Sequence, residues 1–144
     1  MSEAPAVNDI DDILETFDLL GDWDQRYQYL VELGEHLEPM PDSARQPHNK
    51  VKECMSQVWV QAQPKRERPG AIDYVGDCDT AIIKGVVALL IKLFSGKSPR
   101  AVVETDVDRL FRGLHLEEHL SPNRHVGVYA IVNKMKAQAD AFLR

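Results

Sequence analysis

The chain has 144 residues and a mass of 16.3 kDa, with 44% hydrophobic and 28% charged side chains, which fits one globular domain with a sizeable core. A net charge of −6 and a pI near 5.3 argue against nucleic acid and anionic membranes as principal partners. The opening MSEAPAVNDIDDI has neither a basic head nor an apolar run, and the most apolar stretch, residues 81–94, is interrupted by Lys84, Gly85 and Lys92 and falls short of the roughly 20 apolar residues a bilayer span needs, so a cytoplasmic protein is expected.

One domain over residues 1–144 is expected, with residues 1–8 as a flexible tail. Asn8 then precedes Asp9, Asp11 and Asp12, and Ile10, Ile13, Leu14 and Phe17 fall at helical spacing, a helix start with acids where the dipole favours them. Gly21 breaks that helix. Asp22 with Gln25 resembles a capping box, and Tyr27, Leu30, Val31 and Leu37 form a second stripe, so an antiparallel helix pair is expected. EPMPDSARQPHNK follows, a loop of the length that tends to be functional or mobile. MSQVWVQA and AIDYVG read as strands across a KRERPG turn, with residues 65–68 as an extension of one of them, giving two or three antiparallel strands.

Asp77 or Asp79 is expected to cap the next helix, residues 81–94, whose apolar positions cover nearly its whole circumference and mark it as the central buried helix ending at Gly96. Two short helical pieces start near Pro99 and Asp106. The last helix opens at SPNRHVG, with Ser121 as cap, Pro122 first, and a stripe through Val126, Ala130, Ile131 or Val132, Met135 and Phe142. The fold class is therefore α+β, a small antiparallel sheet packed by helices.

The chain carries no GxGxxG, P-loop, HExxH, GxSxG or CxxC. His115 and His119, four apart, are better read as surface residues than as a metal pair, for want of a third ligand. Two cysteines in an unexported chain are expected as free thiols. Cys54 stands where the proline-broken loop meets the first strand. It reads either as a small hydrophobe entering the strand or as a working thiol presented by the loop. The adjacent Glu53 disfavours a thiolate there, and Lys50 and Lys52 favour one.

Four blocks bear on that choice. CMSQVW, residues 54–59, resembles the C-x-S-x-V-W signature of the SufE family, sulfur acceptors for cysteine desulfurases in iron–sulfur cluster assembly. WDQRYQYLVELGEHL, residues 23–37, is similar to that family's second helix. GDCDTAIIKGVVALL, residues 76–90, resembles its G-D-S-D-x-A-I-x-K-G segment, and HLSPNRHVG, residues 119–127, its H-L-(S/T)-P-x-R-x-x-G helix start. The blocks occur in order over nearly the whole chain.

The resemblance implies a fold like that of the IscU cluster scaffolds. It also implies that Cys54 takes persulfide sulfur from a PLP-dependent desulfurase of the SufS/CsdA type, stimulates that enzyme, and passes the sulfur on, with a cluster scaffold complex as a recipient. The protein itself would be no enzyme and would carry no cofactor or metal of its own. Nucleic acid and membrane are not expected as partners.

Arg124 falls at the third position of the last helix, where the dipole disfavours a cation. The family match puts it near the acceptor loop, to meet a thiolate, a persulfide or a partner carboxylate together with free helix N–H groups; the alternative is a solvated surface arginine. Asp77 is expected to restrain the loop or face the partner, and Asp79 to cap. Ser56 and Gln57 are expected to fix the loop's exit by hydrogen bonds, and Trp59 to lie in the core. Cys78 departs from the family's Ser, as an isostere or as a second thiol; the alternative function is a two-cysteine thiol peroxidase in which Cys78 resolves Cys54. Glu53 and Met55 stand where relatives have Gly and another residue, which bears on the loop's geometry rather than on its thiol.

Overall fold

A computed structural model describes residues 10–54 and 56–143. The expected tail at 1–8 and the Asn8 cap lie outside these residues. The described chain runs α1 (Ile10–Leu20), α2 (Trp23–Glu35), two 3-10 turns (Asp42–Ala44 and Pro47–Asn49), β1 (Val58–Pro64), β2 (Ile72–Cys78), α3 (Ala81–Phe94), α4 (Pro99–Glu104), α5 (Val107–Leu114), α6 (Leu116–His119) and α7 (Pro122–Ala141). The architecture is α+β, as expected.

The sheet is a single antiparallel hairpin, with Val58 opposite Cys78 and Pro64 opposite Ile72. Its alternation is clean in β2, where Ile72, Tyr74, Gly76 and Cys78 are buried and the residues between them are not. The buried face of β2 meets α3, and β1 lies against α7. Residues 65–68 do not extend a strand. They form the turn, with Lys65 N–H donating to Ala71 O at 2.9 Å and Gly70 at a φ of +85° that suits glycine. Instead of a third strand, single bridges flank the hairpin at Lys50–Trp59 and Ile72–Lys97. The outer edge of β1 is closed by a side chain of α7. Gln138 accepts from Ala62 N–H at 3.0 Å and donates to Val60 O at 2.8 Å, satisfying backbone groups that an edge strand would leave open.

α3 is the central helix, with Ile83, Val87, Leu90, Leu93 and Phe94 wholly buried, and Gly96 lies just past its end at a φ of +83°. α2 packs chiefly on α3 rather than pairing with α1, which lies against α5, with Arg109 and Asp11 in an ion pair. The α2–α3 approach is set by Gly85, where an added Cβ would sit 2.1 Å from Leu30 O, closer than any side chain allows. Asp22 caps α2 by accepting from Gln25 N–H at 2.9 Å. Asp106 and Ser121 cap α5 and α7 in the same manner.

Three further expectations need correcting. The N-cap of α3 is Thr80, and neither Asp77, which belongs to β2, nor Asp79 caps it. The buried stripe of α7 runs through Gly127, Val128, Ile131, Val132, Met135 and Ala139, whereas Val126 and Phe142 are 60% and 44% exposed. Ile131, Val132 and Met135 are buried as expected; the stripe differs towards its start because Gly127 faces Cys54 there, and a glycine does not register as apolar. Trp59 is half-buried on the outer face of β1, with the Lys50 ammonium 5.9 Å from its ring centre, rather than in the core.

Candidate functional site

The stretch before β1 is more ordered than a proline-rich loop suggests. Met40, Ala44, Asn49 and Val51 are buried in it. Asn49 donates from Nδ2 to Ala44 O at 2.8 Å, and its Oδ1 accepts from Gln138 at 3.4 Å. Val51 is 1% exposed and donates its N–H to Val58 O at 2.9 Å. The chain is pinned up to Val51, and only a short turn carries Cys54, whose N–H reaches Val51 O at 3.4 Å. Beyond Cys54 the chain is pinned again. Ser56 Oγ and Thr80 Oγ1 share a hydrogen bond of 2.7 Å, Gln57 N–H donates to Asp79 Oδ1 at 3.0 Å, and Asp79 N–H returns to Gln57 O at 3.2 Å. Asp79 therefore fastens the exit of the turn instead of capping a helix.

Cys54 is half-buried and is not bonded to Cys78. Its sulfur packs on the second turn of α7, at a glycine. An added Cβ on Gly127 would lie 2.9 Å from Cys54 Sγ and 3.5 Å from its Cβ, so the bare backbone of Gly127 forms the seat of the thiol. The thiol opens into a cavity of about 330 Å³ lined by Cys54, Ser56, Thr80, Ser121, Asn123 and Arg124, with Asp79 and Ile83 beside them. The cavity is thus a meeting of the Cys54 turn, the start of α3 and the first turn of α7.

Of the residues singled out from the sequence, Cys54 and Arg124 share this cavity and Asp77 does not. The Arg124 guanidinium has no ion-pair or hydrogen-bond partner among the described residues. The free helix N–H groups reduce to one: Pro122 has none, Arg124 N–H is taken by Ser121 Oγ at 3.3 Å, His125 N–H by Ser121 O, and Asn123 N–H alone is unpartnered among the described residues. Asp77 points to the other side of the sheet. It pairs with Arg45 at 2.5 Å and Lys84 at 3.5 Å, so it ties the stretch before the turn to β2 and α3. Burial tends to raise its carboxyl, but hydrogen bonds from Arg45 and the Cys78 N–H, with the charges of Lys84 and Arg45, outweigh that and hold it below the usual carboxylate range.

Cys78 ends β2 at 6% exposure, and its sulfur receives the Thr80 N–H at 3.4 Å. Burial, with smaller contributions from Asp79, Cys54 and Asp77, pushes its thiol up to about 11. His119 stacks on Trp23 at 3.7 Å between ring centres, and His115 bonds Glu118 at 2.9 Å, so the two rings are spent separately; among the described residues no group of three metal-ligating side chains converges. No described helix is long and apolar enough to cross a membrane.

Sequence reasoning did not single out Gly127, Asn123, Thr80 or Asp79 in these roles. Gly127 and Asn123 stand in the HLSPNRHVG block and Asp79 and Thr80 in GDCDTAIIKG, so the signal was present as family pattern without a stated purpose.

Comparison with known proteins agrees with this geometry. Residues 11–139 match the model of the SufE family, described as an Fe-S metabolism associated domain. An uncharacterized SufE-like protein of Rhizobium meliloti (strain 1021) is 35% identical over 136 residues, which cover 93% of this chain and 96% of that one. A hypothetical protein from Thermus thermophilus, solved in solution, superposes with a TM-score of 0.77 at 27% identity, covering 93% of this chain and 95% of that one. The match of the family model over nearly the whole described chain, on a fold that seats Cys54 against Gly127 of α7, shows that this protein belongs to the SufE family.

Proposed function

We propose that this protein is a sulfur acceptor that takes persulfide sulfur from a PLP-dependent cysteine desulfurase of the SufS/CsdA type onto Cys54, raises that enzyme's turnover by drawing the sulfur off, and passes it on for iron–sulfur cluster assembly, with a cluster scaffold complex as recipient. The observation that carries the reading is the seat of Cys54: a thiol on a short turn pinned at both ends, packed on Gly127 and open to a cavity lined by hydroxyls and an unpaired guanidinium.

The chemistry is thiol–disulfide exchange. The Cys54 thiolate attacks the outer sulfur of the partner's persulfide. The partner's S–S bond breaks, its cysteine leaves as a thiolate, and a new S–S bond forms on Cys54. The donated sulfur ends as a persulfide anion. A cavity of about 330 Å³ is several times the roughly 30 Å³ share of one water molecule, so one added sulfur atom fits beside Cys54 Sγ. Arg124 would meet the anion there, with the Asn123 N–H, and the hydroxyls of Ser56, Thr80 and Ser121 supply further donors. Asp77 would act at a distance, by holding the stretch that leads into the turn. The protein would need no cofactor of its own, because the partner's PLP makes the first persulfide.

The two-cysteine peroxidase reading has less support. A resolving thiol must be reachable and ionisable, and Cys78 is buried with its thiol pushed up to about 11. The test is incubation with desulfurase and L-cysteine, followed by mass spectrometry of the peptide that contains Cys54. One added sulfur atom there, lost in Cys54→Ser and reduced in Arg124→Ala, is the expected result. An adduct confined to Cys78, or peroxide consumption that depends on both cysteines, would overturn it.

A further inference from the structure

Bordering the same turn and the same helix as the sulfur cavity lies a second groove, of about 610 Å³, lined by Lys50, Lys52 and Glu53 before Cys54 and by Val126, Ala130 and Lys134 of α7. Its charge runs against that of the molecule: three lysines and one glutamate, on a chain of net charge −6. Neither Lys52 nor Lys134 has a carboxylate or hydrogen-bond partner among the described residues. Val126 leaves 60% of its surface in water while its neighbours Gly127 and Val128 are buried, and with Ala130 it makes an apolar strip between the ammonium groups. The strip is firmly backed, because Tyr129 packs edge-on against Phe111 and bonds Asp108 at 2.5 Å. A positively rimmed apolar strip complements an acidic segment with an exposed apolar side chain. The glutamate and the apolar floor disfavour a nucleic acid backbone.

We propose that this groove seats an acidic surface segment of the desulfurase that loads Cys54, an assignment that rests on the sulfur-acceptor reading above. The groove and the sulfur cavity share the turn. Whatever occupies the groove meets Lys52 and Glu53, immediately before Cys54, and Val126, next to the Gly127 seat. Docking thus bears on the residues that lead directly into Cys54, and would position the thiol for the partner's persulfide.

The test uses the full chain and a purified PLP-dependent cysteine desulfurase from the same organism. Affinity is measured by titration calorimetry at low and high salt, and Cys54 loading by mass spectrometry. Wild type, K52E/K134E and Val126→Asn are compared, with inorganic polysulfide as a sulfur donor that needs no docking. Expected are an about tenfold rise in Kd for K52E/K134E, a smaller rise for Val126→Asn, salt weakening of the wild type and Val126→Asn that is much reduced in K52E/K134E, and unchanged loading from polysulfide, which also reports intact folding. If the wild type is loaded by the desulfurase and both variants bind and load equally well, the groove assignment falls and the acceptor function stands. The assignment also falls if K52E/K134E instead abolishes self-association or binding to duplex DNA while desulfurase binding is untouched. A wild type that the desulfurase does not load at all overturns the acceptor function and the groove assignment together.

Discussion

Cys54 and Cys78 lie on either side of Asp79 and Thr80: Cys54 shares a cavity with both of them, whereas Cys78 takes the Thr80 N–H on its sulfur. Both thiols border a cavity, but one is half-buried on a turn, and the other is 6% exposed at the end of a strand with its proton held more tightly than in water. The same functional group is made available in one place and withheld in the other by packing. The difference lies less in neighbouring charges than in where the chain is pinned. Val51 and Ser56 fix the two sides of the Cys54 turn, while Cys78 is fixed by the strand itself.

The comparison is broken most completely by Cys54→Ser, which should abolish desulfurase-dependent sulfur loading, whereas Cys78→Ser should leave loading near the wild-type level; mass spectrometry of the two peptides decides. If Cys78→Ser abolished loading instead, the buried thiol would be the working one. A second way to sharpen it is through pH. Below the ordinary thiol value of 9.0, Cys78 is protonated whether folded or unfolded, and its contribution to stability is full. As pH rises from 9.0 towards about 11, the unfolded chain releases a proton that the folded chain keeps, so stability falls, by about 1.4 kcal/mol per pH unit. Denaturant melts should therefore show the wild type losing roughly 2–3 kcal/mol more than Cys78→Ala over that window. Equal losses would mean that the thiol is not withheld.

Gly127→Ala attacks the other side of the comparison. The new methyl group needs the space of Cys54 Sγ, so the thiol should be displaced from its seat and alkylated several-fold faster by iodoacetamide, at a stability cost of about 1–3 kcal/mol. A slower reaction would show that the seat exposes the thiol rather than sheltering it. The smallest effect is expected of Asp77→Asn, which loses the ion pairs to Arg45 and Lys84 and only a minor contribution to the raised Cys78 thiol. Stability should drop by about 1 kcal/mol at neutral pH. The wild type's advantage should shrink as pH falls below the usual carboxylate range, because a carboxyl held low contributes only while ionised. Chemical denaturation at neutral and acid pH checks both.

The sequence alone determined the α+β order, the caps at Asp22 and Ser121, a helix start near Asp106 and the central burial of α3, and through its family blocks it singled out Cys54. Those features are local or lie in contiguous motifs: a cap acts within one turn, and periodicity is read within one helix. What it misplaced depends on contacts between distant segments. The α7 stripe was offset because Gly127 carries no side chain to register as apolar, although it is the residue that meets Cys54. Asp79 was read as a cap because its partner, the Gln57 N–H, lies 22 residues away across the hairpin. Asp77 and Arg124 both stood as candidates near Cys54, and only the folded chain separates them, because alternation along β2 turns Asp77 towards Arg45 while the first turn of α7 brings Arg124 to the cavity. That Cys54 is a thiol follows from the chain; that it sits on a bare glycine between two pinned points is decided by packing.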